Sequence, residues 1–494
     1  MDVLSEINDL IWNPMAYLAL GLGLFFTVLT RGIQFRRIPD MIRELGAKKD
    51  TPEGNSPLQA VLLTLASRVG VGNIAGVATA IYAGGPGAMF WMVLCALLGS
   101  ASAYAESTLA QVFKTKIDGE HRGGVPYYVE KGLKAKWLAV ILAAMILVGY
   151  GFVFPGVQSN NIAQSMNEAF SIPLWAVALV VTVLLAVVII GGTKRIVAVA
   201  QVFVPFMAAG YIIATIVMLA MNAEQIWPTL QLVFSSAFGV NQVFGGILGA
   251  AVAWGVRRAV FSNVAGVGEG TFGAASAAVR HPAKQGLVQA FSIFIDTVVV
   301  CNATGVMILI SGLYDVADEN GALIFSGANG IEAGPGYTQA AIDTIAPGIG
   351  PGFVAVALFF FAFTTLIAFY YIAKTNLVYL FHGRAANVAD WVLKIGMIAI
   401  TFYGSVESPT LIWAIGDIGY GSIGWVNMIC ILLLSPVVWK VTRDYDRQRR
   451  AGKELAFNPE ALGIKRAHFW MQDHTGTIAR AKAEGLLDDA DDAR

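Results

Sequence analysis

Long apolar stretches alternate with short polar loops along most of this chain. Eleven of these stretches reach or approach the roughly 20 apolar residues that an α-helix needs to cross a lipid bilayer. They lie near residues 14–30, 58–82, 87–112, 137–164, 174–192, 196–221, 243–279, 285–313, 352–381, 388–404 and 412–440. The pattern predicts an all-α polytopic membrane protein with about 11 transmembrane helices, embedded in a lipid bilayer.

Lys and Arg occur in only every second loop between these stretches. Basic residues follow the first, third, fifth, seventh, ninth and eleventh stretches. The other loops contain neither Lys nor Arg, and all but the short loop at 83–86 contain acids, such as Glu168, Glu224 and Glu407. Loops rich in Lys and Arg stay in the cytoplasm when a membrane protein inserts. The alternation therefore predicts that the N-terminus lies outside and the C-terminus lies in the cytoplasm.

The composition agrees with a membrane protein and excludes several other classes. Hydrophobic residues make up 56% of the chain and charged residues only 13%, against about 25% charged residues in soluble domains. The net charge is zero, so no nucleic acid partner is expected. The sequence contains no zinc-protease motif, nucleophile elbow or phosphate-binding loop, which indicates a protein that is not an enzyme.

Two of the predicted helices are interrupted by glycine and asparagine. Residues 67–76 read SRVGVGNIAG, and residues 257–270 read RRAVFSNVAGVGEG. Secondary transporters often consist of two inverted repeats, whose broken helices form the binding site near the bilayer centre. The interruptions stand five spans apart, as expected if each one lies in the first helix of a five-helix repeat. The sequence therefore predicts an N-terminal helix and loop at 1–57, repeats at 58–221 and 222–440, and a polar cytoplasmic tail at 441–494. Alternatively, the glycines only allow close helix packing.

The interrupted helices offer suitable chemistry for an amino acid and a cation. Unwound backbone presents N–H groups to an anion and carbonyl groups to a cation. The adjacent Thr364 and Thr365 add hydroxyls that could bind sodium, although each could instead bond back to its own helix. Glu269 is a candidate coupling acid, because a buried, unpaired carboxyl could carry a proton in place of sodium. For Glu106 and Asp296, which also fall in apolar stretches, we expect structural salt bridges or helix anchoring.

Several motifs resemble those of one transporter family. The longest reads GVGNIAGVATAI at 70–81 and continues with GGPGAMFWM at 84–92. Others are ESTLAQ at 106–111, GGTKR at 191–195, HPAKQGL at 281–287, FIDT at 294–297 and FAFTT at 361–365. Over about residues 12–450 the chain resembles the alanine/glycine:cation symporter family, also called the sodium:alanine symporter or amino acid carrier protein family.

The resemblance implies both a fold and a function. The fold would be a LeuT-like 5+5 inverted repeat with one extra N-terminal helix, in the inner (plasma) membrane of a prokaryote. The function would be secondary active symport of a small neutral amino acid of the alanine/glycine class, coupled to sodium (Na+) by alternating access. Coupling to protons (H+) and a changed amino-acid substrate stay open as alternatives. Because one complete bundle holds its own central site, a monomer or weak homodimer is expected.

The resemblance also assigns site residues. Matching positions predict that substrate is bound by Gly72, Asn73, Gln158, Phe261, Ser262, Asn263 and Phe369. Sodium would be bound by Thr364 and Thr365, with a backbone carbonyl near Gly70. The chain departs from the family where the second interruption usually reads Ser-Asn-Glu-Ala-Gly: Val264 replaces the acid, and Glu269 stands where a small residue is usual. Phe369 stands where Trp is frequent, which would admit a bulkier substrate.

Overall fold

The computed structural model describes residues 2–49, 54–452 and 455–473. These residues form a helical bundle with two short antiparallel hairpins. The hairpin strands are β1 Thr115–Ile117 with β2 Glu120–Arg122, and β3 Asp315–Ala317 with β4 Leu323–Ser326. The 3-10 turns are Val71–Asn73 and Gly245–Ile247, and the π-helical turns are Gly149–Val153, Phe294–Cys301 and Phe469–Asp473.

The α-helices account for most of the described chain. In order they are α1 Asp2–Leu29, α2 Ile33–Arg36, α3 Ile38–Leu45, α4 Pro57–Arg68, α5 Ala75–Gly84, α6 Gly87–Val112, α7 Val125–Gly132, α8 Lys136–Val148, α9 Phe154–Phe170, α10 Leu174–Ile190, α11 Thr193–Met221, α12 Ala223–Ala237, α13 Leu248–Asn263, α14 Gly270–Ser276, α15 Pro282–Ile293, α16 Asn302–Ser311, α17 Pro335–Asp343, α18 Gly350–Leu380, α19 Arg384–Val406, α20 Pro409–Leu433 and α21 Ser435–Arg450. Of these, α2, α3, α7, α12 and α17 lie in segments that the hydropathy pattern left as loops.

Eight helical segments of the described chain are long and apolar enough to cross a membrane. They are Val3–Leu29, Gly87–Val112, Lys136–Phe170, Thr193–Met221, Pro282–Ser311, Gly350–Leu380, Arg384–Val406 and Pro409–Leu433. The prediction of an all-α polytopic membrane protein is therefore confirmed. The predicted total of about 11 spans stays a prediction, because two of them are split into short helices and a third, Leu174–Ile190, has only 17 residues.

Both interruptions expected from glycine and asparagine are present. The first separates α4 from α5 and contains a single 3-10 turn at Val71–Asn73. The second separates α13 from α14, and its backbone turns back through positive φ values at Val264 (48°), Gly266 (83°) and Gly268 (98°). Positive φ is a costly conformation for a β-branched residue such as Val264, so the second interruption is held by its surroundings.

Two long spans each contain a π-helical turn inside an otherwise α-helical segment. Gly149–Val153 joins α8 to α9, and Phe294–Cys301 joins α15 to α16. Single π turns are rare in proteins overall, but those that occur are often found at functional sites, because they rotate the side chains that follow. The two turns carry Tyr150 and Asp296, both of which are buried near the interrupted helices.

The part of the predicted 441–494 tail that the structure describes packs against the bundle. Val441 and Tyr445 of α21 are buried, and farther along Phe457 and Trp470 are buried as well. The Trp470 indole N–H donates to the carbonyl of Gln111 at 3.0 Å. The acidic residues at the end of the tail, Asp488, Asp489, Asp491 and Asp492, lie outside the described residues.

An ionic cluster joins α21 to the end of α2. Asp446 accepts hydrogen bonds from Arg36 and from Arg37, the latter at 2.8 Å. Burial opposes ionisation of Asp446, but the two arginines outweigh it and hold the pKa of this carboxyl below its usual value. The cluster therefore contains an ionised carboxylate at neutral pH.

Candidate substrate and ion site

The two interrupted helices touch each other in the middle of the bundle. Gly72 packs so closely on the second interruption that a Cβ atom there would lie 3.0 Å from the Cα of Ser262 and 3.4 Å from the ring of Phe261. Any side chain at Gly72 would push the two helices apart, because this distance is below ordinary van der Waals contact. The structure thus brings three predicted substrate residues together at one point.

Gly70 occupies an equally tight position beside α9 and α18. A Cβ atom on Gly70 would lie 2.6 Å from the hydroxyl oxygen of Thr365 and 3.0 Å from the amide oxygen of Gln158. The Gln158 oxygen accepts a hydrogen bond from the backbone N–H of Val71 at 3.2 Å. A sodium candidate and a substrate candidate therefore both contact the first interruption.

The two adjacent threonines occupy different environments. The Thr365 hydroxyl donates to the carbonyl of Phe361 at 2.9 Å and lies 3.5 Å from the carbonyl oxygen of Val69. The Thr364 hydroxyl also donates to Phe361, but its other neighbour is the Met207 sulfur of α11. Both hydroxyls thus bond back to their own helix, as the alternative interpretation expected. Of the two, Thr365 is the residue whose hydroxyl contacts the first interruption, at the Val69 carbonyl.

Asn73 links the first interruption to the π-helical turn at Phe294–Cys301. Its side-chain oxygen accepts from the backbone N–H of Gly70 at 2.9 Å, which holds the 3-10 turn. Its side-chain N–H₂ donates to the Asp296 carboxylate at 2.8 Å. Asp296 is fully buried, and its hydrogen bonds come from neutral side chains, so of the two expected roles it has helix anchoring rather than a direct salt bridge.

The second interruption reaches the same π-helical turn. Ser262 donates to Asp296 at 3.0 Å, and the Asn263 side chain donates to the Thr297 hydroxyl at 3.1 Å. The Asn263 side-chain oxygen accepts from the backbone N–H of Ala265, which supports the turn after α13. Both interruptions are therefore held by one pair of consecutive residues, Asp296 and Thr297.

Phe369 and Glu269 belong to an aromatic cluster next to the interruptions. The Phe369 ring lies 5.1 Å from the ring of Tyr150 and 6.2 Å from that of Phe154, which stacks on Tyr420 at 3.9 Å. Glu269 precedes α14 and accepts hydrogen bonds from Tyr150 at 2.8 Å and Tyr420 at 3.4 Å. A coupling acid was expected to be buried and unpaired. Glu269 is buried, but it has two hydrogen-bond partners.

A buried ion pair that the sequence analysis did not identify anchors α13. Arg257 and Arg258 contact opposite oxygens of Asp417 in α20, at 2.7 Å and 3.3 Å. The sequence signal was an acid within the apolar stretch 412–440, which marks a residue that needs a partner. The pair fixes α13 directly before the second interruption and occupies both arginines.

Comparisons with known proteins agree on one family. The sequence profile of the "Sodium:alanine symporter family" matches residues 1–459. A putative sodium/proton-dependent alanine carrier protein of Bacillus subtilis is 49% identical, covering 96% of this chain and 98% of its own length. The sodium/proton-dependent alanine carrier protein of Bacillus sp. strain PS3 is 46% identical, with 87% and 97% covered.

A more distant relative and a solved structure complete the comparison. The sodium/alanine symporter of Methanococcus maripaludis is 36% identical, covering 91% of this chain and 98% of its own length. A mutant manganese transporter of Eremococcus coleocola superposes with a TM-score of 0.49 at 12% identity, covering 90% and 97% of the two chains, and nothing about this chain follows from that likeness. The match to the family profile and to these relatives shows that the chain belongs to the sodium:alanine symporter family.

Proposed function

We propose that this protein is a secondary active symporter that imports alanine or a similar small neutral amino acid together with sodium. Membership of the sodium:alanine symporter family and three relatives named as alanine carriers or symporters support this function. The single observation that carries the proposal is the packing around Gly70, where Thr365 and Gln158 both meet the first interrupted helix. Ion and amino acid would share the same segment of backbone.

The proposed fold is the LeuT-like 5+5 inverted repeat with one extra helix. Repeats at 58–221 and 222–440 would each begin with an interrupted helix, preceded by the N-terminal helix and loop at 1–57 and followed by the tail at 441–494. The contact between Gly72 and Ser262 supports this arrangement, since the interruptions of two inverted repeats meet at the central site. Alternating access would then open the site to one side at a time.

The proposed substrate site uses the groups that the interruptions free. The substrate carboxylate would face backbone N–H groups of the first interruption, and the ammonium would face carbonyl oxygens of the second. The residues assigned to substrate are Gly72, Asn73, Gln158, Phe261, Ser262, Asn263 and Phe369. Phe369 would act indirectly. It packs on Tyr150 and Phe154 and thereby limits the space available beside the site.

The proposed sodium site lies beside Gly70. Sodium favours several neutral oxygens, and the Thr365 hydroxyl with the Val69 carbonyl supplies two of them 3.5 Å apart. Sodium binding would require the Thr365 lone pairs to turn toward the first interruption, while Thr364 supports the neighbouring turn of α18. Since the site joins α18 to the interrupted helix, sodium would order the backbone that binds the amino acid.

The proposed setting is the inner membrane of a prokaryote, with the N-terminus outside and the C-terminus in the cytoplasm. The restriction of Lys and Arg to alternate loops supports this orientation. A monomer or weak homodimer would suffice, because one chain holds every residue of the proposed site. Proton coupling through Glu269 is the second candidate, and the burial of this carboxyl beside Tyr150 supports it.

The test is uptake of labelled alanine into proteoliposomes under an inward sodium gradient or an inward proton gradient. We expect accumulation with sodium and a strong rise in the sodium half-saturation for Thr365→Ala, because the variant loses one oxygen ligand. Thr365→Ser keeps the hydroxyl and should retain most sodium affinity. Thr182→Ala is the matched control, since Thr182 is also buried and bonds back to its own helix, but in α10. Accumulation driven only by protons would refute sodium coupling.

A further inference from the structure

A cavity beside the end of α1 carries an excess of positive charge. It has a volume of about 900 Å³ and lies between the end of α1, α21 and residues 461–462. Small-molecule sites in proteins have volumes of about 300–1,000 Å³, so the cavity is large enough for a ligand. Its charged lining comprises two acids, Asp444 and Asp446, and five basic residues, Arg31, Lys440, Arg443, Arg447 and Arg450.

The two acids of the lining already have cationic partners. Asp446 accepts hydrogen bonds from Arg36 and Arg37, both at 2.8 Å, and neither of these arginines lines the cavity. Asp444 accepts a hydrogen bond from Arg447 at 2.7 Å. The carboxylates are therefore neutralised by these partners, and they do not offset the charge of the other basic residues in the cavity.

Four basic residues of the lining lack a carboxylate partner. Within residues 2–49, 54–452 and 455–473, no ion pair is formed by Arg31, Lys440, Arg443 or Arg450. Lys440 instead donates to the carbonyl of Leu462 at 3.0 Å, and the Arg443 guanidinium lies 5.2 Å from the centre of the Trp439 ring. These neutral contacts position the two side chains without cancelling their charge. Since like charges around one cavity repel each other, a bound anion would relieve this repulsion.

The same cavity has an apolar border where a membrane-crossing helix ends. Leu29 is the last residue of the long apolar segment Val3–Leu29, and it lines the cavity. Trp439 also lines the cavity and is 42% exposed. Exposed tryptophan is typical of the boundary between lipid and water. A ligand in the cavity would therefore meet positive charge and the edge of the lipid at the same time.

This combination favours the headgroup of a lipid over a soluble anion. The planar guanidinium group donates two parallel hydrogen bonds to a phosphate, so the three arginines without a carboxylate partner suit a phosphate group. Basic pockets beside transmembrane helices bind anionic headgroups on the cytoplasmic side of membranes. The orientation proposed above places the end of α1 on that side.

We propose that the cavity between the end of α1 and α21 binds the phosphate group of an anionic membrane lipid such as phosphatidylglycerol. Arg443 and Arg450 would contact the phosphate, and Trp439 would pack beside the start of the acyl chains. The bound lipid would join the end of α1 to α21 and to residues 461–462, and would thereby stabilise the folded protein. The inference goes beyond the proposed symport and depends neither on the amino acid nor on the coupling ion.

The first experiment measures the melting temperature of the purified full-length protein in a neutral detergent. Phosphatidylglycerol is added in increasing amounts, and phosphatidylcholine, which has the same phosphate but no net charge, is added to a parallel sample. A ligand that binds the folded state raises the melting temperature, and we expect a larger rise with phosphatidylglycerol. In the double variant Arg443→Gln/Arg450→Gln its half-saturation should rise by about 30-fold, or about 2 kcal/mol, because each basic residue near an anionic lipid contributes about half of that.

The matched control is the double variant Arg384→Gln/Lys465→Gln. It removes two exposed positive charges that do not line the cavity. The control should keep the response of the wild type to phosphatidylglycerol. An equal response in the wild type and in Arg443→Gln/Arg450→Gln would overturn the proposal, since the lipid would then bind elsewhere.

The second experiment locates the lipid by tryptophan fluorescence. Phosphatidylglycerol with brominated acyl chains quenches the tryptophans that it touches, and the chain has 11 of them. We expect Trp439→Phe to lose a larger share of the quenching than Trp137→Phe, which removes a tryptophan that is 69% exposed at the start of α8. With brominated phosphatidylcholine the two shares should be similar. Similar shares with phosphatidylglycerol would also overturn the proposal. This comparison keeps every basic residue, so it decides even if the arginine variant does not fold.

Two further outcomes would assign the cavity to another occupant and overturn the proposal. Glycerol phosphate that stabilises the protein as strongly as phosphatidylglycerol would mean that the cavity binds a soluble anion. The second outcome is a melting temperature that falls without lipid in Arg443→Gln/Arg450→Gln and falls equally when Asp488, Asp489, Asp491 and Asp492 are all replaced by Asn. The acidic end of the chain would then be the occupant. None of these measurements involves transport, so their failure is distinct from a failure of sodium-driven alanine uptake.

Discussion

Adding a single methyl group at Gly70 should weaken sodium binding while the protein still folds. The backbone at Gly70 has φ of −142° and ψ of −146°, so Gly70→Ala avoids the left-handed region, although the ψ lies outside the main β region and adds backbone strain to the packing effect. The added Cβ would lie 2.6 Å from the Thr365 hydroxyl oxygen, about 0.8 Å short of the 3.4 Å at which ordinary contact begins. Overpacking of this kind costs about 1–3 kcal/mol, which corresponds to a loss of affinity of about 5- to 150-fold if it falls on the ion site.

The assay is alanine uptake as a function of external sodium. For Gly70→Ala we expect a sodium half-saturation raised by about tenfold or more. Alanine half-saturation should rise as well, because the same methyl group would press on Gln158 at 3.0 Å. Gly76→Ala is the matched control in the same interrupted span, since its Cβ would meet nothing closer than 3.9 Å. Wild-type sodium dependence in Gly70→Ala, at equal protein level, would refute the assignment of Thr365 and Gln158.

Three further predictions concern the buried and surface charges. Glu269→Gln should keep sodium-driven uptake, and a lost pH dependence of uptake in this variant would instead assign proton coupling to Glu269. Asp417→Asn should lower stability by about 3–5 kcal/mol, seen as reduced melting temperature and yield, because Arg257 and Arg258 lose their shared partner; an unchanged melting temperature would contradict the pairing. Asp446→Asn should lower the melting temperature at neutral pH. Because the pKa of Asp446 is depressed by folding, its contribution is present above the unfolded value of about 3.9 and disappears as the pH falls through the folded value. The difference between wild type and variant should therefore shrink below about pH 4, and a difference that grows in acid would refute this role.

The sequence predicted the features that depend on local composition. Stretches of apolar residues give long helices in a bilayer, and the glycines at 70, 72, 266 and 268 interrupt helices because they cost helix stability and permit unusual backbone. Both interruptions were therefore readable without a structure. The resemblance supplied the remaining assignments, which no periodicity in the chain could have provided.

The relations between distant residues could not be predicted in the same way. Thr364 and Thr365 are neighbours in sequence, but successive residues of a helix point about 100° apart, and only tertiary packing decides which one contacts Val69. The partner of Arg257 lies 160 residues away in α20. The π-helical turn that carries Asp296 has no recognised sequence signal, so the sequence left a salt bridge and helix anchoring both open for this carboxylate.

The burial of Trp470 has a consequence for how this protein is made. Its indole bonds to the carbonyl of Gln111, which precedes it by 359 residues. A ribosome reaches Trp470 only after the eight long apolar helices of the described chain have been synthesised, and chains generally begin folding from their N-terminal part during synthesis. The last turn of α6 must therefore wait, with its indole partner missing, until the ribosome reaches residue 470. Termination between residues 440 and 470 would release a chain that contains the eleven predicted spans but leaves the Gln111 carbonyl without its indole partner.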